Sequence, residues 1–151
     1  MRLFGNFESG QGAVGLLFLR LVVGLGLVLH GLPKIQNPTG WMRGGDVPGW
    51  LQALAALSEF GGGLAIIVGL LTPLACFGVM STMFVAVLSH LKRGTPEAPQ
   101  YFVKPGNAPP EAGSYETAAL YFVIALMLFL TGPGLLSLDA KLFGKGRGSR
   151  K

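Results

Sequence analysis

The sequence predicts an all-α integral membrane protein, a bundle of four transmembrane helices followed by a short interfacial helix near the C-terminal end. Half of the 151 residues are hydrophobic and only 13% are charged, whereas a soluble protein carries about a quarter charged residues. The mean hydropathy is +0.54. Several apolar segments are long enough to cross a bilayer, which takes about 20 residues of helix. We therefore expect one membrane domain, residues 1–151, and no soluble catalytic domain.

Turn-forming residues separate the predicted spans, which cover residues 12–34, 50–71, 73–91 and 115–134. The loop between the first two spans is flanked by Trp41 and Trp50, as interfacial aromatic residues often are. Only Leu71, Thr72 and Pro73 connect the second span to the third, so these spans should form a tight antiparallel hairpin, with the proline in the first turn of the new helix.

Two further segments lie outside the predicted spans. The loop 92–114 contains five prolines, and loops of this length are usually functional, interface-forming or disordered. The tail 141–151 is basic, and Ser137 is a suitable N-cap for a short amphipathic helix just before it. The net charge of +5 then favours contact with anionic membrane lipids rather than nucleic acid. We expect a bacterial inner (cytoplasmic) membrane protein with both termini in the cytoplasm.

Arg20 and Glu59 place opposite charges inside apolar spans. An ionised side chain at that depth costs at least ~2.5 kcal/mol on insertion scales and usually marks a functional site. Arg20 lies ~12 Å and Glu59 ~18 Å from the same membrane face, at 1.5 Å per residue. Since these depths differ by only ~6 Å, we predict an Arg20–Glu59 pair and take both as candidate catalytic residues. The alternative is a static ion pair that fixes helix register. Gln52 and Gly63 share the helical stripe of Glu59.

More candidate site residues lie toward the opposite membrane face, and we predict that they bind a ligand: His30, Lys34, His90, Glu116 and Tyr121. For Tyr121, packing in the interior is the alternative. His30 and His90 should lie at similar depths, which would allow a b-type haem. That alternative is less favoured, because histidines at helix ends are usually solvated or hydrogen-bonded. The single cysteine, Cys76, excludes an intrachain disulfide and a multi-cysteine metal site. We predict no metal site and assign Cys76 to packing.

Six short motifs follow one another along the chain: Leu19-Arg20-Leu21, His30-Gly31-Leu32-Pro33-Lys34, Glu59-Phe60-Gly61-Gly62-Gly63, Gly69-Leu70-Leu71-Thr72-Pro73, Tyr115-Glu116, and Gly132-Pro133-Gly134-Leu135-Leu136-Ser137-Leu138-Asp139. In this order they resemble the DoxX family of small bacterial membrane proteins. The resemblance implies a four-helix bundle. The family's name derives from a subunit of a quinone-reducing thiosulfate oxidoreductase, and other members are associated with redox-stress or sulfur-metabolism complexes.

Together, these patterns predict a quinone-interacting subunit of a membrane-bound oxidoreductase. A quinone needs an apolar slot and protonatable groups at its head, and His30, Lys34 and Glu116 are the expected head-group residues. Arg20 and Glu59 would hold the core or relay protons. The sequence has no flavin, nicotinamide or iron–sulfur motif, so electrons would come from other membrane-complex subunits or a soluble redox partner.

Two alternatives belong to other classes of protein. The first is a non-catalytic accessory or assembly subunit of a larger membrane redox complex, which fits the small size, the glycine-rich helix faces and the long loop. The second is a small-solute or proton transporter. It is less favoured, because no span has an interior proline break and no inverted repeat is evident.

Overall fold

The computed structural model describes residues 7–42, 47–92 and 115–144. These residues form five α-helices and no strand, which confirms the all-α prediction. The helices are α1 (Gln11–Gln36), α2 (Gly49–Val68), α3 (Thr72–Lys92), α4 (Tyr115–Thr131) and α5 (Leu138–Phe143). The predicted loop beyond Lys92 and the tail beyond Gly144 lie outside the described residues.

Within the described residues, α1, α2 and α3 are long and apolar enough to cross a membrane, and α4 is a shorter apolar helix. The 17 residues of α4 span ~25 Å. Three helix ends differ from the prediction by two or more residues. α2 ends at Val68 rather than residue 71, because Gly69 takes the left-handed conformation. α4 ends at Thr131 because Gly132 and Gly134 both have φ +78°, which does not continue a helix. α1 continues through Pro33 to Gln36, since a proline in the last turn removes only one backbone hydrogen bond.

The turn between α2 and α3 confirms the predicted hairpin. Gly69 ends α2 in the left-handed conformation, and the backbone N–H groups of Gly69 and Leu70 donate to the carbonyls of Ile66 and Ala65. This closes the helix in the usual glycine-terminated way. Leu71 follows with φ +47°, a conformation rare for residues other than glycine. The turn therefore needs an outside contact to hold it.

Glycines set the register between α1 and α2. A Cβ atom on Gly24 would lie 2.8 Å from the Gly63 carbonyl oxygen, and one on Gly31 would lie 2.8 Å from Cα of Phe60. Small residues at these points allow the backbones to approach closely, as in many membrane helix pairs. Gly24 is thus opposite Gly63, and Gly31 is opposite Phe60.

A Gly63→Ala variant should lose about 1–3 kcal/mol of unfolding free energy, the usual cost of overpacking. The new methyl group would lie 2.8 Å from the Gly24 carbonyl oxygen and 2.9 Å from the backbone nitrogen of Val28, so the helices must separate. Thermal unfolding in detergent would measure the loss. Gly15→Ala is the matched control, because no atom lies within 4 Å of its added Cβ. Equal stability of the two variants would contradict this packing.

The bundle core is apolar and draws on all four long helices: Val23, Leu27, Ile66, Cys76, Val79, Met83, Ala118, Ala125 and Leu128. Cys76 is fully buried there, as predicted for a packing residue. The outer faces carry exposed large apolar side chains such as Phe18, Val22 and Val85, which a lipid environment accommodates. Among the described residues, the buried charged side chains are Arg20, Glu59 and Asp139.

Candidate functional site

The structure separates the two intramembrane charges that were predicted to pair. Lys34 Nζ donates to both carboxylate oxygens of Glu59, at 2.5 and 2.6 Å. Arg20 instead donates from Nη2 to the backbone carbonyl of Leu136. The predicted Arg20–Glu59 pair is therefore wrong, and the part of the chain that the structure describes places these charges in two separate clusters.

Helix register explains the error. The glycine contacts place Glu59 beside residues 28–32 of α1. Arg20 is about ten residues away along that helix, or ~15 Å. The predicted depths of Arg20 and Glu59 assume that the start of the first span and the end of the second lie at the same depth. In the structure they do not, because α1 extends beyond the end of α2 on the side of the chain termini.

The first cluster, which we call the Lys34 cluster, comprises Lys34, Glu59, Trp41 and Gln52. Lys34 lies in the last turn of α1, where a positive charge interacts favourably with the helix dipole. The Lys34 side chain is 25% exposed and that of Glu59 only 3%. Nζ also lies 4.6 Å from the centroid of the Trp41 ring, within cation–π range. The ammonium therefore has a buried carboxylate and an indole as neighbours, yet keeps an open side.

Gln52 holds the loop residues of this cluster in place. Its backbone carbonyl accepts a hydrogen bond from Trp41 Nε1 at 3.0 Å. Its side-chain Oε1 accepts one from the Met42 N–H at 3.0 Å, and its Nε2 donates to the Val47 carbonyl at 2.9 Å. Gln52 shares the helical stripe of Glu59, but the sequence alone assigns it no role. The sequence feature that could have indicated one is a polar residue on the same stripe as a buried charge.

α4 contacts α1 through Tyr121. The Tyr121 ring packs edge-on against His30, with centroids 6.0 Å apart and planes at 79°. Its hydroxyl lies against Gly26, where any side chain would collide with it. The structure thus brings together two of the candidate ligand-binding residues, His30 and Tyr121, and Lys34 follows His30 by four residues on α1.

The other candidate ligand-binding residues lie on neighbouring helices. His90 is near the end of α3 and Glu116 is in the first turn of α4. Their roles, and a haem between His30 and His90, stay predictions. Across the described ranges, no three His, Cys, Asp or Glu side chains are grouped as a metal site would require.

The second cluster, the Arg20 cluster, comprises Arg20, Asp139 and the backbone groups they contact. Both side chains are fully buried. The Asp139 carboxylate accepts hydrogen bonds from the N–H groups of Leu71 at 2.7 Å and Thr72 at 2.8 Å. The Asp139 N–H donates to the Gly69 carbonyl at 2.8 Å. Asp139 therefore caps α3 and stabilises the strained turn at Leu71, and its negative charge lies near Arg20.

The predicted N-cap of the terminal helix is confirmed. Ser137 Oγ accepts a hydrogen bond from the Ala140 N–H at 3.2 Å and donates one to the Gly134 carbonyl at 2.6 Å. α5 also exposes Leu138, Leu142 and Phe143, as expected of a helix at the membrane surface. The buried role of Asp139 was missed. The available signal was that Leu71, which precedes α3, has no side-chain acceptor for the free N–H groups of that helix.

Apolar packing separates the two clusters. Val23, Leu27 and Ile66 are buried between their levels, next to the close contact of Gly24 with Gly63. These residues offer no side chain that could carry a proton from one cluster to the other. We therefore assign Arg20 to the architecture of the bundle and the Lys34 cluster to the candidate functional site.

A groove of about 320 Å³ runs between α2 and α3. Small residues form much of its wall, among them Gly61, Gly62 and Ala65 of α2 and Gly78 of α3. Ser58 is the polar side chain that lines it. Without an ionisable group, this groove provides no head-group chemistry of the kind found at Lys34.

The fold and the two clusters define a small multi-pass membrane protein with ionisable groups inside its helix bundle. The chain belongs to the DoxX family, whose profile matches residues 15–92. It is 33% identical over 133 residues to inner membrane protein YqjF of Escherichia coli (strain K12), a match that covers 85% of this chain and 92% of that protein. No solved structure matches. Arg20, Lys34 and Glu59 lie inside the family match, and Asp139 lies beyond it.

Proposed function

We propose that this protein is the membrane subunit of an oxidoreductase complex and binds the head group of a quinone at the Lys34 cluster. The observation that carries this proposal is the position of the Lys34 ammonium. It is bonded to the buried Glu59 carboxylate and lies close to the Trp41 indole, yet it is 25% exposed. The association of the DoxX family with membrane oxidoreductases supports the same function.

The residues of the cluster fit a quinone. A lysine ammonium has three N–H donors, so Lys34 can bond to Glu59 and still donate to a ligand carbonyl. Glu59 and Lys34 are both protonatable, and reduction of a quinone to a quinol consumes two protons and two electrons. The electrons would come from a partner subunit that carries its own redox group. His30 and Tyr121 are in contact, His30 lies one turn before Lys34 on α1, and Glu116 and His90 would complete the head-group end.

Quinone binding can be measured on the detergent-purified protein. We expect a short-tailed ubiquinone analogue to raise the midpoint of thermal unfolding in a saturable way, and organic extraction to release bound quinone. Lys34→Gln should weaken binding at least tenfold, because it removes a charge-assisted hydrogen bond worth about 1.5–3 kcal/mol. Lys141→Gln is the matched control, an exposed lysine on α5. The proposal is refuted if extraction releases no quinone and the analogue does not stabilise the protein.

We place the protein in the bacterial inner membrane with both termini in the cytoplasm. The basic residues of the C-terminal tail support this orientation, since positive charges near membrane helices favour the cytoplasmic side. The printed name of the Escherichia coli relative supports the location. A reporter enzyme that is active only in the periplasm should stay inactive when fused after Lys151, and activity of that fusion would reverse the orientation.

The alternative is a non-catalytic accessory or assembly subunit. The Arg20 cluster favours it, because Arg20 bonds to the terminal segment at Leu136 and Asp139 bonds to the turn before α3. These contacts hold the bundle together. Glu59→Gln in the purified complex separates the two functions. Normal assembly with lost turnover supports quinone chemistry, whereas poor assembly with normal turnover supports the accessory role.

A further inference from the structure

We infer that Trp41 is the aromatic wall against which the quinone ring stacks, and that Gln52 is the residue that positions Trp41. This inference rests on the proposed function, because it concerns the same site. It adds a surface that recognises the flat ring to the ammonium that recognises a carbonyl.

The indole of Trp41 has a fixed orientation. Trp41 presents its ring to Lys34 Nζ at 4.6 Å, while the ring nitrogen donates to the backbone carbonyl of Gln52. The hydrogen bond fixes one edge of the ring, and the ammonium lies over one face. A ligand ring on that face must therefore lie offset from the ammonium, with a carbonyl toward Nζ. Aromatic pairs favour such offset stacking, with centroids 4.5–7 Å apart.

Gln52 acts from the helix face that carries Glu59. Gln52 precedes Glu59 by seven residues on α2, or about two helical turns, which places both on one stripe. The residue that anchors the indole and the residue that bonds the ammonium therefore share one rigid element. Trp41 and Lys34 keep a defined spacing for that reason.

The side chain of Gln52 suits its position because it both donates and accepts a hydrogen bond. Gln52 is only 5% exposed, and its side chain both accepts from the Met42 N–H and donates to the Val47 carbonyl. Glutamate can accept but cannot donate, so its carboxylate would face the Val47 carbonyl. Leucine would leave both backbone groups without a side-chain partner. Gln52→Leu and Gln52→Glu keep the backbone carbonyl that accepts from the indole, but each breaks a side-chain bond to the backbone on either side of the loop. Both variants should therefore loosen the loop that carries Trp41.

The experiment uses the two tryptophans of the chain, Trp41 and Trp50. Trp50 is exposed at the start of α2, so Trp50→Phe leaves Trp41 as the sole tryptophan. In this background we expect a short-tailed ubiquinone analogue to quench Trp41 emission, with the same midpoint as binding measured by equilibrium dialysis. Gln52→Leu should raise that midpoint at least tenfold. Gln11→Leu is the control, an exposed glutamine at the opposite end of α1.

Variants of Trp41 keep the test decisive if Gln52→Leu fails to fold. Trp41→Phe retains a ring and should keep most of the binding in dialysis, whereas Trp41→Leu should lose at least tenfold. If the quinone binds but Trp41 emission does not change, or Trp41→Leu binds as well as the parent protein, the inference is overturned and the proposed function stands. If dialysis detects no quinone at all, both fail.

Discussion

Asp139→Ala is expected to lower the free energy of unfolding by about 3–6 kcal/mol, because two backbone N–H groups each lose a hydrogen bond to a charged acceptor, worth about 1.5–3 kcal/mol. The substitution removes both acceptors that cap α3 at Leu71 and Thr72. It also removes the negative charge that accompanies the fully buried Arg20. The turn at Leu71 would then hold its positive φ without support.

Equilibrium unfolding in mixed micelles would measure this loss, with helix content as the signal. Glu8→Ala is the matched control, because Glu8 is an exposed carboxylate at the same end of the bundle and its backbone carbonyl bond from Leu135 remains. Asp139→Asn should lose less than alanine, since its one remaining acceptor can still bond to one of the two N–H groups. Equal stability of the Asp139→Ala and Glu8→Ala variants would show that the cap does not stabilise the bundle.

The elements of the fold follow directly from the sequence. Run length predicted the spans, because a bilayer fixes the length of an apolar helix. Thr72 and Pro73 predicted the hairpin, because a proline is favourable only in the first turn of a helix. Ser137 is predicted as the N-cap of the terminal helix because its hydroxyl precedes a short amphipathic segment. Each of these predictions depends on neighbours in the chain. The hairpin and the Ser137 cap are confirmed. Among the described residues, three helices are long and apolar enough to cross a membrane, and α4 is a shorter apolar helix.

The charge pairing did not follow from the sequence, because it depends on the offset between neighbouring helices. The apolar pattern of α1 and α2 allows many offsets. The contacts of Gly24 with Gly63 and Gly31 with Phe60 select one. An error of a few residues in that offset moves a charge by ~1.5 Å per residue, which is enough to exchange Arg20 for Lys34 as the partner of Glu59.

Glu59 and Arg20 each lie near an opposite charge that comes from the end of a segment. Glu59 is reached by Lys34 from the last turn of α1, and Arg20 is accompanied by Asp139 from α5, beyond the glycines that end α4. Lys34 is 25% exposed and keeps part of its length close to the interface, so its desolvation costs less than that of a charge placed mid-span. Asp139 is fully buried, but two backbone N–H groups at the end of a turn donate to its carboxylate. This physical preference makes residues at segment ends the first candidates for any unpaired intramembrane charge.

The paired substitution Lys34→Met with Glu59→Gln should separate the structural role of the ion pair from its proposed function. Lys34→Met alone leaves the Glu59 carboxylate, 3% exposed, without its partner, and we expect a loss of about 3–5 kcal/mol in unfolding free energy. Glu59→Gln alone should cost less, about 1–3 kcal/mol, because Lys34 is 25% exposed and can turn toward water. The double variant contains no buried unpaired charge and should recover most of the stability lost by Lys34→Met.

Quinone binding should not recover with stability, because the methionine has no donor for a ligand carbonyl. Unfolding in mixed micelles and equilibrium dialysis with a short-tailed ubiquinone analogue would measure the two quantities on the same preparations. Lys141→Met combined with Glu8→Gln is the control, since it removes one exposed charge of each sign away from the cluster. A double variant as unstable as Lys34→Met would show that the lost stability does not come from the unpaired carboxylate. A stable double variant that still binds the quinone would show that the head group does not bind at Lys34.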